Sequence, residues 1–344
     1  MNNREKTREI LMQLPELCYD FISSVSQRTS ELTRLNYVHD LKLFFGFLHE
    51  FIPGFEAAPK DYTISELKLV TPRNIDMFLD HISSYDIKID EKLIERTNQN
   101  AGKKRKITTI RAFYRFLYKR QLIQSDVTAL VDVPKIKEKA IITLEPEEIR
   151  RLFDTVANGS NLEGNGKAWN EKTRTRDLAI LALLLGTGIR ISECVGLNIE
   201  DVDFDTGMFK VTRKGGNEAI LYFSNEVAAY LLEYLKERKE SKPNEGHEKA
   251  FFLSSQNNRI STRAVQHFVA NYKQAAGIVK KISPHKFRST YGTRLYQNTQ
   301  DIYLVADVLG HKDVNTTTKH YAKMSDELRR KAADKVHLTD DNSD

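Results

Sequence analysis

Apolar residues recur at helical spacing along most of the chain. Between residues 14 and 52, Leu32, Leu35, Val38, Leu41, Phe44, Phe45 and Leu48 advance in steps of three and four, which predicts an amphipathic helix ended by Pro53-Gly54. Thr71 to Ile82 predicts a second helix, with Pro72 in the first turn, where a missing N–H costs nothing. The segment between them, and the polar stretch Asp86 to Asn100, read as loops or short helices. Further on, Ile107, Ile110, Tyr114 and Leu117 fall on one side of a helix, while Arg111, Arg115 and Lys119 share the other.

Periodicity lapses from Asp132 to Ala140, around Pro134 and a run of lysines, and then restarts. Thr143 suits an N-cap, Pro146 an early helical position, and Glu147-Glu148 the positive helix end. Asn158 to Asn170, rich in Gly and Asn, reads as a loop. Arg176 to Leu185 is nearly all apolar, so a helix there is expected to be buried on every side. Gly186-Thr187-Gly188 should break it and deliver Arg190 to the start of another helix, with Glu193 one turn later on the same face. Three short β-like pieces follow: Val202 to Phe204, Met208 to Thr212 and Ala219 to Phe223. The turns between them are Asp205-Thr206-Gly207 and Lys214-Gly215-Gly216-Asn217, which puts Lys214 at a hairpin tip. Ser224 to Glu240 reads as a capped amphipathic helix, Thr262 as the cap of the next, and Ser283-Pro284 as the opening of a third that carries His285 and Arg288 on one face. Asp301 to Leu309 is another helix, closed by Gly310, with His311 just past its end. The expected fold class is therefore mainly α with a small antiparallel β-sheet. A helical unit over residues 1–133, a linker over 134–142, a second unit over 143–324 and a tail over 325–344 with an acidic end make up the expected order.

Composition adds limits. With 344 residues and 40% apolar content, the chain can bury two real cores. Cys18 and Cys194 are far apart and form neither a metal-ligand spacing nor a disulfide framework, which fits a reducing cytoplasm. No apolar h-region follows the N-terminus, and the longest apolar run, Leu178 to Leu185, falls far short of the about 20 residues a membrane span needs. Lys and Arg outnumber Asp and Glu by only 53 to 47, yet Arg96 to Ser125 holds nine Lys or Arg and no acid. Such a face is either simply solvated or a rail for nucleic-acid phosphates. The candidate contacts are Lys103, Lys104, Arg105, Lys106, Arg111, Arg115 and Lys119, which would position a duplex without reading its bases.

The chemistry concentrates between Ser283 and Tyr321. His285, Arg288, His311 and finally Tyr321 lie there, while Asp301, Asp307 and Asp313 are scattered. Imidazoles and guanidinium without clustered carboxylates suit an anion, phosphate foremost, and hold a divalent metal poorly. A metal-dependent nuclease is disfavoured for that reason. Lys214 is either an ordinary solvated turn lysine or a functional one. Glu193 either orients Arg190 or the histidine helix, or forms a structural salt bridge.

In their order, G-T-G-I-R ending at Arg190, the hairpin Lys214, the H-x-x-R box His285/Arg288, L-G-H at His311, and Tyr321 resemble the tyrosine recombinases of the phage-integrase type. The likeness covers about Thr143 to Met324 as a catalytic domain; the N-terminal unit is similar to that family's core DNA-binding domain but carries less specific motifs. The bacterial Xer-like branch, particularly its single-recombinase type, is the most similar. Phe287 stands where the family more often has leucine. The resemblance implies a C-shaped clamp around double-stranded DNA, catalytic roles for Arg190, Lys214, His285, Arg288, His311 and Tyr321, no metal, ATP or other cofactor, and a homotetramer assembled on two DNA sites. It also implies a 3′-phosphotyrosyl intermediate, in chromosome or plasmid dimer resolution or in mobile-element integration and excision, at the nucleoid. The resemblance names no accessory protein. The tail, with Leu328, Ala332, Ala333 and Val336, is similar to a C-terminal helix that docks on a neighbouring protomer; packing on its own domain is the other reading. Two rivals share part of the pattern: a type IB topoisomerase, and a DNA-binding protein that does not cut.

Overall fold

Two hydrophobic cores form, one in each of the compact units Met1–Lys139 and Ala140–Asp344 into which the chain divides. The structure, a computed structural model, describes residues 2–89, 92–136, 141–213, 216–311 and 313–314, with the backbone alone at 87–89 and 92–94.

The first unit contains α1 (Asn3–Leu11), α2 (Glu16–Ser24), α3 (Glu31–Phe51), α4 (Ile64–Leu69), α5 (Pro72–His81), β1 (Ser84–Ile89), β2 (Lys92–Thr97) and α6 (Asn100–Lys119). Within α3, Leu35, Val38, Leu41, Phe44, Phe45 and Leu48 are buried at the expected spacing; Leu32, in the first turn, is 57% exposed. Phe113 of α6 closes this core, lying edge-on to Phe21 at 5.6 Å and to Phe45 at 5.9 Å. Each such ring pair adds about 0.5–1.5 kcal/mol to the burial of its area. Asp86 to Asn100, expected as loops or short helices, instead contributes to an antiparallel hairpin running from Ser84 paired with Thr97 to Ile89 paired with Lys92. Asp90 and Glu91, which stand between its strands in sequence, lack the Asn-Gly or Asp-Gly signature that marks such turns.

The second unit contains α7 (Pro146–Asn158), α8 (Asn165–Thr187), α9 (Ile191–Gly196), β3 (Val202–Asp203), β4 (Met208–Thr212), β5 (Glu218–Tyr222), α10 (Asn225–Glu240), α11 (Thr262–Ala275), α12 (Pro284–Thr299) and α13 (Ile302–Leu309). The strands form one antiparallel sheet in the order β3-β4-β5. Helix α8 is the axis: it packs against α7, α10 and α12, and Ala179 to Leu184 are all buried. A buried ion pair sits on the same helix. Asp177 accepts from Arg176 Nη2 at 2.7 Å, and from Thr173 and the Tyr272 hydroxyl at 3.0 Å each, so the charge is fully hydrogen-bonded. Burial nonetheless holds the Asp177 carboxyl above its ordinary pKa.

Several local expectations change. Helix α7 is capped by Glu145 through a capping box with Glu148, rather than by Thr143. Ser261, not Thr262, caps α11. The expected loop at 158–170 ends early, because α8 begins at Asn165, and Gly186 remains helical, so the break falls at Gly188 alone. No helix among the described residues is long and apolar enough to cross a membrane.

Candidate active site

Two helix ends build the site. Helix α8 closes at Gly188 and α13 at Gly310, both in the left-handed region with φ of 65° and 62°. Glycine reaches that region without a Cβ penalty, and here a side chain would also collide. A Cβ on Gly188 would overlap the Tyr291 ring of α12, and one on Gly310 would overlap the Arg213 guanidinium. Leaving out the side chains lets the carbonyls of both helix ends approach α12 and the start of α9.

Those carbonyls receive the arginines. Arg288, on α12 and 4% exposed, donates through Nη1 to Gly188 O at 2.7 Å and through Nη2 to Leu309 O. Arg190, at the N-cap of α9, donates through Nη2 to Gly310 O at 3.3 Å. Glu193 holds the other side of Arg190: its Oε1 accepts from Nη1 and its Oε2 from the Arg190 backbone N–H, both at 2.8 Å. The contact is an ion pair across the first turn of α9, and it fits both readings of Glu193 left open by the sequence. A third guanidinium, that of Arg213 at the end of β4, donates to Val308 O at 3.0 Å and to Asp307 O at 3.4 Å. The last three carbonyls of α13 and that of its cap, Gly310, thus accept from three arginines. The helix C-terminus carries partial negative charge, which lets it gather cations without the full neutralisation that carboxylates would bring.

His311 follows directly. Its N–H returns to Ala306 O at 2.9 Å, the wrap that closes α13, so its place is fixed by the same helix end. His285 stands in the first turn of α12, exposed and one turn before Arg288. Of the residues singled out in the sequence, Arg190, Arg288 and His311 are therefore brought to one helix terminus, with His285 on the adjoining helix. Lys214 and Tyr321 lie outside the described residues, as does the tail helix proposed after Tyr321. Arg213 was not singled out. Its neighbour in sequence, Lys214, was the only hint, since a contact to backbone carbonyls leaves no residue-type signature. Among the described residues, no three His, Cys, Asp or Glu gather so as to hold a metal ion.

Two cations of α6 are turned inward. Lys106 is 7% exposed, and its amine donates to Asn98 Oδ1 at 2.9 Å; burial lowers its pKa. Arg111 is half-buried, with Nη2 donating to Val131 O at 2.5 Å. Both side chains serve the packing of this unit. Lys104, Arg105, Arg115 and Lys119 are exposed and Lys103 half-exposed. Arg105 is anchored: the buried Asp40 accepts from its Nη2 at 2.6 Å, leaving the arginine side chain 50% exposed. On the reading of this face as a rail for nucleic-acid phosphates, changing Arg115 and Lys119 together to Ala should weaken DNA binding and reduce the slope of log affinity against log salt by about two. Lys106→Met should instead leave that slope unchanged and alter the melting temperature. Titrations at several salt concentrations check both, and an unchanged slope in the Arg115/Lys119 pair removes them from the interface.

A mainly helical chain with a small antiparallel sheet, whose second unit groups arginines and histidine at one helix end, has the makings of an enzyme that grips a phosphodiester. Comparison with known proteins identifies the class. Residues 143–327 match the phage integrase family, and the chain belongs to it. It is 29% identical over 332 residues to the tyrosine recombinase XerC of Caldanaerobacter subterraneus subsp. tengcongensis, covering 93% of this chain and 85% of that one. It is also 29% identical over 355 residues to the tyrosine recombinase XerS of Streptococcus uberis, covering 96% and 98%. The fold is similar to that of the XerH site-specific recombinase bound to palindromic difH substrate in a post-cleavage complex, with a TM-score of 0.66 at 18% identity over 96% of this chain and 92% of that one.

Proposed function

We propose that the chain is a site-specific recombinase that cleaves and rejoins duplex DNA through a 3′-phosphotyrosyl bond to Tyr321. The observation that carries this reading is the convergence of Arg190, Arg288 and His311 on the C-terminus of α13. A phosphodiester repels nucleophiles by its own charge. Donors fixed in advance around its non-bridging oxygens offset the charge that grows as a fifth oxygen approaches phosphorus. Arg190 and Arg288 are the two forks, and His311 adds a third donor. Tyrosine has a pKa near 10, so only about one part in a thousand is phenolate at pH 7. His285 accepts the phenol proton as the Tyr321 oxygen bonds to phosphorus, and Lys214 donates a proton to the departing 5′ oxygen. The bond energy stays in the phosphotyrosyl link, so a 5′ hydroxyl from another strand can reverse the step onto a new partner. No divalent metal takes part.

Strand exchange between two duplexes needs four such sites, hence a homotetramer on paired DNA sites. The type IB topoisomerase reading shares the cations and the tyrosine but relaxes supercoils without exchanging strands. The discriminating experiment traps the protein on its host DNA with denaturant and sequences the attached ends. A recombinase gives one short recurring site. Ends scattered over unrelated sequences, together with relaxation of a plasmid lacking that site, would favour the topoisomerase.

A further inference from the structure

Arg105 stands apart from the other cations of α6. Both of its terminal nitrogens donate to Asp40 of α3, Nη1 to Oδ2 at 2.5 Å and Nη2 to Oδ1 at 2.6 Å. Asp40 is 2% exposed, and its Oδ2 also accepts from the Thr109 hydroxyl at 2.8 Å. Burial raises the Asp40 pKa, so a carboxylate is kept there at a cost. Among the described residues, no other cation of α6 forms a salt bridge. A buried ion pair adds little net stability to a fold, but it does fix a long side chain that would otherwise sample many rotamers. Arg105 also belongs to the exposed stripe of the helix. At about 100° per residue, Ala101, Lys104, Thr108, Arg115 and Lys119 fall within about 100° of it, and all are exposed. Ala101 and Thr108 are short enough to let a duplex come close. Arg105 lines a recess of about 360 Å³ between α3 and α6, which leaves room next to the fork for the edge of a base pair.

We infer that Arg105 reads the major-groove edge of a guanine in the bound duplex, and that Asp40 is the positioning residue that holds its fork for that task. This rests on the reading of the chain as a site-specific recombinase. Charge alone places Arg105 among the phosphate contacts, but its partner points elsewhere. The carboxylate offsets the guanidinium charge, which removes the main attraction for phosphate and sets a negative group behind it. Hydrogen bonding survives that neutralisation. Of the five N–H donors of an arginine, two meet Asp40 and three remain, and two of these lie parallel on one edge of the planar group. That pair matches O6 and N7 of guanine, neutral acceptors that a fixed fork distinguishes from the edge of any other base. Lys104, Arg115 and Lys119, which form no salt bridge among the described residues, are left to hold the backbone.

The test uses full-length protein and a pool of duplexes with a randomised segment. Selection for binding, followed by sequencing, should return a recurring site with the unaltered protein. Arg105→Ala should return the same site, except that one G·C pair is no longer preferred. On the selected site Arg105→Ala should bind on the order of 10- to 100-fold more weakly, with the slope of log affinity against log salt unchanged. Replacing that guanine by 7-deazaguanine, which lacks the N7 acceptor, should weaken the unaltered protein on the order of 10-fold and the variant by less than about 2-fold. Asp40→Asn should lower the preference for the same pair on the order of 10-fold, a readout that a purely structural ion pair would not move. Arg105→Lys keeps a cation beside Asp40 and should lose the preference as alanine does; it covers the case in which alanine, leaving a buried carboxylate unpaired, fails to fold. A fall of about one in the salt slope with every duplex weakened alike, or an unchanged affinity for the selected site, overturns the base-reading role. Full preference for that pair in Asp40→Asn overturns the positioning role. If the unaltered protein itself returns no recurring sequence, the site-specific reading fails and the inference falls with it.

Discussion

On the proposed mechanism, Arg288→Ala should lower the rate of covalent complex formation by about 1,000-fold, the loss expected when a donor to developing negative charge is removed. The same substitution should destabilise the second unit by about 2–4 kcal/mol. It strands two buried acceptors, Gly188 O and Leu309 O, at about 1–3 kcal/mol for each that water cannot reach. Arg288→Lys should restore part of the charge but not the bridge between α8 and α13, so its rate should remain well below that of the unaltered protein. Single-turnover cleavage of a nicked duplex gives the rate, and thermal melting gives the stability. Arg288 variants that cleave at the normal rate would remove this residue from the chemistry and leave it as a packing arginine.

Tyr321→Phe is expected to have the other large effect. Loss of one oxygen should abolish the covalent protein–DNA band on a denaturing gel, with no detectable residual, because no step remains for the other residues to accelerate. Affinity for the duplex should be nearly unchanged, since phosphate contacts supply most of it. The pair of results separates a nucleophile from a ligand contact. A covalent band that persists in Tyr321→Phe would mean that another hydroxyl attacks phosphorus. Among the described tyrosines, Tyr291 lies near these helix ends, but burial raises its pKa, which makes it a poorer nucleophile than a tyrosine beside cations.

Much of this could be read from residue types alone, and the exceptions share a cause. The core stripe of α3 and the nearly apolar α8 follow from periodicity, because burial of a helix face is written in side chains at fixed spacing. The glycine caps at Gly188 and Gly310 were also legible, although the exact break after α8 was not. The hairpin at Ser84–Thr97 was missed because its strands, S-Y-D-I-K-I and K-L-I-E-R-T, carry charge where a buried strand would carry apolar residues. Charge alone predicts exposure for Lys106 and Arg111, both candidate phosphate contacts in the sequence. In fact Asn98 Oδ1 and Val131 O supply partners that pull both side chains inward. At the site, the side chains Arg190, Arg288 and His311 were visible as motifs, but what holds them was not. Their partners are backbone carbonyls, which are the same atoms in every residue, so only the course of the chain reveals that α13 gathers three arginines. Arg213 escaped notice for this reason.

The central claim is that one phenol oxygen becomes bonded to a 3′ phosphate that these cations hold. The most direct measurement is to trap the unaltered protein on a nicked duplex, digest both protein and DNA, and identify the nucleotide-linked peptide by fragmentation in a mass spectrometer. The predicted result is a single adduct on Tyr321, joined through phosphate to the 3′ end, with a free 5′ hydroxyl on the released strand. An adduct on any other residue, a link to the 5′ end, or cut DNA with no adduct at all would contradict it.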